Sequence, residues 1–155
     1  LLETLDGEPL LRARQEMCAI DVRDHSLRRV DSTPFPMDMD LLRPVVTAPC
    51  RRMKLKLGEE CLVYSYQVRT MDTDLNHHMN NTNYIRLILD AQPSSFWDRY
   101  RVQEFDVHYV NESVEGEEIQ VYCQTEAQEM AVQIKRGETT LVKAFLQLAQ
   151  REKSE

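Results

Sequence analysis

The sequence predicts an α+β domain in which an antiparallel sheet lies around one apolar helix, with a short strand-rich piece in front. Three observations carry that prediction. Apolar residues alternate at period two along most of the second half of the chain. One segment instead places Tyr84, Ile85, Ile88 and Leu89 at helical spacing. Pro34, Pro36, Pro44 and Pro49, set among acidic residues, separate both from the residues before them. A chain of 155 residues is long enough for one domain with a real core and part of another.

Taken in order, "LLRARQEMCAIDV" (residues 10–22) reads as a strand after the turn signal Asp6-Gly7. "RDHSL" follows as a hairpin turn, then "RRV" as a short strand. Residues 1–32 are therefore one piece and 33–57 a linker, with a short helix expected at 40–42. The main domain is expected over 58–155. In "CLVYSYQVRT", Leu62, Tyr64, Tyr66 and Val68 share one face of a strand. The helix comes next; Pro93 ends or kinks it, and "SSFWDRY" supplies another turn or two. Phe105, Val107 and Tyr109 then mark a strand, and Ile119, Val121 and Cys123 a second. Met130, Val132 and Ile134 mark a third, with Gly137 in the turn before "TTLVKAFLQLAQ". The expected order is strand, buried helix, then four strands in an antiparallel meander.

Composition removes several function classes. A net charge of −7 argues against duplex nucleic acid as a partner. No apolar run approaches the length of a membrane span, and no signal-peptide pattern opens the chain. Cys18, Cys50, Cys61 and Cys123 lie far apart without a CxxC pair, which speaks against zinc and suits a reduced, cytoplasmic setting. Cys61 and Cys123 fall in predicted strands and read as core thiols; His108 reads as an ordinary strand histidine.

"DTDLNHHMNNTNYI" (residues 72–85) holds an unusual density of polar groups at the start of the helix. Three readings compete: a metal loop, a helix cap, or a catalytic site at a helix N-terminus. Asp72, Asp74 and Asn76 match the first, third and fifth positions of a calcium loop. The sixth should be glycine and is His77; the twelfth should be glutamate and is Asn83. Adjacent His77 and His78 cannot easily share a zinc ion. No metal and no cofactor is expected. Asn80 or Asn81 suits the cap, and Asp74 the positive end of the helix dipole. A cap alone leaves two histidines and a second carboxylate unexplained.

That segment resembles the active-site stretch of the acyl-acyl-carrier-protein (acyl-ACP) thioesterases, in which Asp-x-Asn-x-His precedes Asn-Asn and a helix. The resemblance implies the hot-dog fold, a sheet wrapped around a central helix. "DGEPLLRARQEMCAIDVRDHSLRRV" likewise resembles the closing strands of that family's first hot-dog domain. With Leu1 rather than Met at the start, the expectation is a fragment: residues 1–32 end an incomplete first hot-dog domain and 58–155 are the second. Such a chain is expected to self-associate, or to pair with a first hot-dog domain. A bacterial member would be cytoplasmic, a plant member in the plastid stroma.

Position by position, the resemblance implies that Asp74, Asn76 and His78 are catalytic. Glu112, matched through the Tyr-x-x-Glu pattern at Tyr109, is the fourth group. Plant members commonly carry cysteine directly after that glutamate; this chain has Ser113, which favours attack by water. His78 can take a proton from water if Glu112 holds its tautomer. Asn76, the backbone N–H groups at the helix start, or both, would hold the oxyanion, and Asp74 would orient Asn76 or water. Asn80, Asn81 and Tyr84 are candidate substrate-binding residues, although Tyr84, like Trp97, also fits the core. Arg51, Arg52, Lys54 and Lys56 form a basic run in an acidic chain, suited either to an acidic acyl carrier protein or to a solvated strand end. The expected reaction is hydrolysis of fatty acyl-ACP to fatty acid and carrier protein. The rivals are an acyl-CoA thioesterase of the same fold and a non-catalytic acyl-binding domain, which should have lost His78 or Glu112.

Overall fold

The computed structural model describes residues 2–16, 18–21, 23–24, 26–29 and 53–151. The chain divides into two compact units, Leu1–Arg51 and Arg52–Glu155.

In the first unit, β1 (Leu2–Glu3) pairs with β2 (Pro9–Leu11), and β3 (Ala19–Ile20) pairs with β4 (Leu27–Arg28), both antiparallel. The Asp6-Gly7 turn joins the first pair, with Gly7 at φ 82, where a side chain is disfavoured. Asp21 organises the second turn: it accepts the Arg23 N–H and pairs with the Arg28 guanidinium at 3.0 Å. The single strand expected over residues 10–22 is broken, because residues 12–16 belong to no strand. Both faces of that stretch are exposed, so alternation there buries nothing. The short strand expected at "RRV" sits slightly earlier, at β4. Most of the expected linker, including the prolines, residues 40–42, Arg51 and Arg52, lies outside the described residues.

The second unit is built from β5 (Leu62–Gln67), α1 (Asn81–Leu89), α2 (Ser94–Trp97), β6 (Tyr100–Tyr109), β7 (Glu118–Glu126), β8 (Glu129–Arg136) and β9 (Thr139–Gln150). Its sheet runs β5-β7-β8-β9-β6, with every neighbour antiparallel. The four-strand meander is thus corrected: only β7, β8 and β9 form one. Tight turns at Ala127 and Gly137, both at positive φ, force those three strands to be neighbours. The longer connection 110–117 instead lets the chain leave β6 at one edge and re-enter beside β5. That crossing matters, because it carries Glu112 and Ser113.

Register lines up the inward side chains into rows across the sheet. Tyr64, Val121, Ile134, Val142 and Tyr109 are successive partners in one such row. Against this face α1 buries Tyr84, Leu87 and Ile88, an i, i+3, i+4 stripe, in one core with Ile119, Met130, Val132 and Leu146. The result is the hot-dog fold, α+β in class. Residues 53–57 alternate in burial as a strand would, and they are fastened to β8. The Leu57 N–H donates to Gln133 at 2.8 Å, and the Lys135 ammonium donates to the Leu57 carbonyl at 2.9 Å. Lys54 and Lys56 consequently face solvent.

Cys61 is not in a strand. It closes a 3-10 turn (Glu59–Cys61) and is half-buried. Cys123, on β7, packs against the core, and burial pushes its thiol pKa up, which suits an unreactive packing role.

Candidate active site

Asp72–Asn80 forms a closed loop between β5 and α1. Thr73 and Met79 bridge across it, and the Asp74 N–H donates to the His78 carbonyl at 2.9 Å. Inside, the Asp74 carboxylate accepts the Asn76 N–H at 2.8 Å, an Asx turn that spends one of its oxygens on shape. His77 takes φ 63, a left-handed conformation that histidine visits more readily than most residues. Its side chain is exposed, as is that of Asn76. At the loop's end, Asn80 caps α1: its side-chain oxygen accepts the Thr82 N–H at 2.9 Å and the Thr82 hydroxyl at 2.7 Å. Asn81 is the first helical residue.

The connection 110–117 lies alongside this loop. His78 bridges to Val114, and the Met79 N–H donates to the Ser113 carbonyl at 2.8 Å. This pairing sets the His78 Nδ1 3.2 Å from a carboxylate oxygen of Glu112, with the imidazole 37% and the carboxylate 63% exposed. Glu112 therefore stands in the loop beyond β6 rather than on a strand. With Nδ1 turned to Glu112, Nε2 is the nitrogen left to exchange a proton with a bound molecule.

Ser113 points the other way. It is wholly buried, and its hydroxyl lies 2.6 Å from the Tyr84 hydroxyl. Tyr84 is buried too, so the structure gives it a core position with its polar tip already partnered. Glu117 anchors the same connection by pairing with Arg136 at 2.6 Å and accepting the Val114 N–H at 3.1 Å.

Two residues that sequence reasoning missed hold the loop in place. Asp72, read only as a candidate metal ligand, is buried and accepts from the Tyr66 hydroxyl, the Arg69 N–H and the Arg86 guanidinium. Arg86, on α1, had not been singled out. Tyr66 was the available signal: a tyrosine on the inward face of a strand needs a partner for its hydroxyl. Among the described residues, no group of three or more His, Cys, Asp or Glu side chains is placed to hold a metal ion. No helix among them is long and apolar enough to cross a membrane.

The profile of the family described as "Acyl-ACP thioesterase C-terminal domain" matches residues 55–144, more than half of the chain. The chain belongs to the acyl-ACP thioesterase family. Its fold resembles that of an acyl-ACP thioesterase from Bacteroides thetaiotaomicron, at 21% identity and TM-score 0.65, over 84% of this chain and 53% of the other. A 12:0-ACP thioesterase from Umbellularia californica matches at 18% identity and TM-score 0.59, over 65% of this chain and 40% of that one. A thioesterase from Thermus thermophilus, solved with coenzyme A and zinc, matches at 18% and 0.52, over 59% of this chain and 80% of that one. This chain thus spans about half the length of the Bacteroides acyl-ACP thioesterase. Comparison with curated proteins found no match.

In this domain both loops around His78 hang on a carboxylate. Burial raises the pKa of Asp72, but the Arg69 N–H, the Tyr66 hydroxyl and the Arg86 charge outweigh it and hold the carboxyl below its usual range. Burial likewise raises that of Glu117, and Arg136 outweighs it. Both folded values are depressed, so their stabilisation is expected to be complete above about pH 5, where both groups are ionised even in the unfolded chain, and lost as pH falls through the folded values. Urea midpoints measured from pH 6 to pH 2 should fall steeply below pH 4, and less steeply in Asp72→Asn. An equal acid decline in both proteins would remove Asp72 from the account.

Proposed function

We propose that this domain hydrolyses a fatty acyl thioester carried on acyl carrier protein, releasing fatty acid and carrier thiol, with water as nucleophile. One observation carries the reading: in a domain of this family, His78 and Glu112 stand within 3.2 Å of each other across two loops. Glu112 holds the imidazole through Nδ1, and Nε2 takes a proton as the water oxygen bonds to the thioester carbon. When the C–S bond breaks, the imidazolium returns that proton to the departing sulfur, so protons and electrons balance without cofactor. Asn76 and the N–H groups at the start of α1 are the donors available to the oxyanion, where one donor is commonly worth about 10²–10³ in rate. Asp74 shapes the turn that presents Asn76. Asn80 and Asn81 stand where the substrate would meet the helix start, and Tyr84 lines the interior behind them. Lys54 and Lys56 are exposed and free to meet an acidic carrier; Arg51 and Arg52 extend that run in sequence.

Pairing with a first hot-dog domain, or with a second copy, belongs to this reading. Met71 and Leu75, on the segment that carries the site, are almost entirely exposed (90% and 98%). Apolar side chains so placed suit cover by a partner.

Turnover of one acyl group on acyl carrier protein and on coenzyme A tests the reading, with free thiol as the signal. Faster kcat/KM on the carrier protein is expected. Preference for coenzyme A would replace the proposed substrate, and hydrolysis of neither would leave an acyl-binding domain.

A further inference from the structure

We propose that Asp72 is a positioning residue for hydrolysis: through its carboxylate and its own carbonyl it closes both ends of the loop that carries Asp74, Asn76 and His78. This inference rests on the function proposed above.

The carboxylate holds the loop's beginning to three separate parts of the fold. One oxygen accepts the Tyr66 hydroxyl from β5 at 2.7 Å and the Arg69 N–H at 2.8 Å. The other accepts the Arg86 guanidinium from α1 at 3.0 Å. The backbone carbonyl of the same residue holds the loop's end. It accepts the Asn80 N–H at 2.8 Å and the Asn83 side-chain amide at 2.9 Å. From there the Thr73–Met79 bridge and the Asp74–His78 bond continue the connection without a gap to His78. A shift at Asp72 is therefore transmitted to the backbone of His78, and Glu112 meets only a correctly placed imidazole.

The site needs a carboxylate rather than any buried polar group. All three partners of the two oxygens are donors. An amide of the same shape has one acceptor oxygen and would turn its NH₂ toward either Arg86 or the Arg69 N–H, leaving a donor facing a donor. The contributions differ in exposure. Asp72 is only 5% exposed at its side chain, whereas Arg86 is half-exposed and lines an open hollow of about 510 Å³ with Tyr64, Tyr66, Arg69, Leu87 and Asp90. Water can replace part of what Arg86 supplies, so loss of Asp72 should matter more than loss of Arg86.

The test separates positioning from simple stabilisation, and does not depend on activity alone. Asp72→Asn, Tyr66→Phe and Glu112→Gln are compared with the unaltered protein at a temperature where each is folded by circular dichroism. For Asp72→Asn, kcat on acyl-ACP is expected to fall at least about tenfold with KM within about threefold, the pattern of a lost transition-state arrangement. In the NMR spectrum the His78 ring signals should move toward their position in Glu112→Gln, while those of His108, on β6, stay in place. Tyr66→Phe removes one hydroxyl from the carboxylate and should shift His78 in the same direction by less; it carries the test if Asp72→Asn does not fold. Unmoved His78 signals in a folded variant, or an unchanged kcat beside a lowered melting temperature, would overturn the proposal. If the unaltered protein hydrolyses no acyl thioester, the proposed function fails, and the ring signals still decide whether Asp72 places His78.

Discussion

Replacing His78 by alanine is expected to lower kcat on acyl-ACP by about 10²–10⁴, the usual worth of a general base, while leaving the melting temperature nearly unchanged. The stability expectation follows from location: the imidazole is over a third exposed and its pairing with Glu112 is open to solvent. His77→Ala is the control. Its ring is exposed and is not the one paired with Glu112, so activity within about threefold is expected, although its φ of 63 suits alanine less well than histidine. The two residues are adjacent, share one loop and differ in which one reaches Glu112. Steady-state rates of both variants decide the assignment; equal losses would sink it.

The second large effect separates water from a side-chain nucleophile. Glu112→Gln should reduce kcat by about 10²-fold, because the amide no longer selects the tautomer that leaves Nε2 free. Ser113→Ala should cost less than about tenfold in kcat. The Ser113 hydroxyl is wholly buried and only 2.6 Å from Tyr84, which leaves no room to receive an acyl group. Its loss should register in stability instead, by about 1–3 kcal/mol, since the Tyr84 hydroxyl is left buried without its partner. Rates and melting curves of the two variants should therefore diverge in opposite senses. Intact mass showing a covalent acyl group on Ser113 would refute the water reading.

Much of this arrangement is legible in the order of residues. Period-two alternation locates β7, β8 and β9, because their inward residues all face one core. Tyr84, Ile85, Ile88 and Leu89 announce the helix that fills it, and Asn80 or Asn81 its cap; the face that the helix buries is Tyr84, Leu87 and Ile88, with Asn80 as the cap. Local chemistry suffices for these features, since each depends on a few neighbouring side chains. Alternation misleads where neither face is buried, as over residues 12–16. The Asp-x-Asn-x-His pattern and the Tyr-x-x-Glu pattern singled out His78 and Glu112 through resemblance, without saying how they meet.

Their meeting was decided by tertiary structure. His78 and Glu112 are brought together because β6 takes the far edge of the sheet and its connection to β7 returns past the loop that carries His78. Strand periodicity has no term for that, since an edge position and a meander position read alike in sequence. The same holds for Asp72. In sequence it is one carboxylate among several polar residues, distinguishable only by spacing. In the fold it is buried among donors from β5, the following turn and α1, and such long-range donors determine which carboxylate stays charged inside the protein. The residues of the site and the local elements that carry them were written in the sequence; the partner of each charge depended on topology, because hydrogen bonds across strands and loops join residues that no local pattern connects.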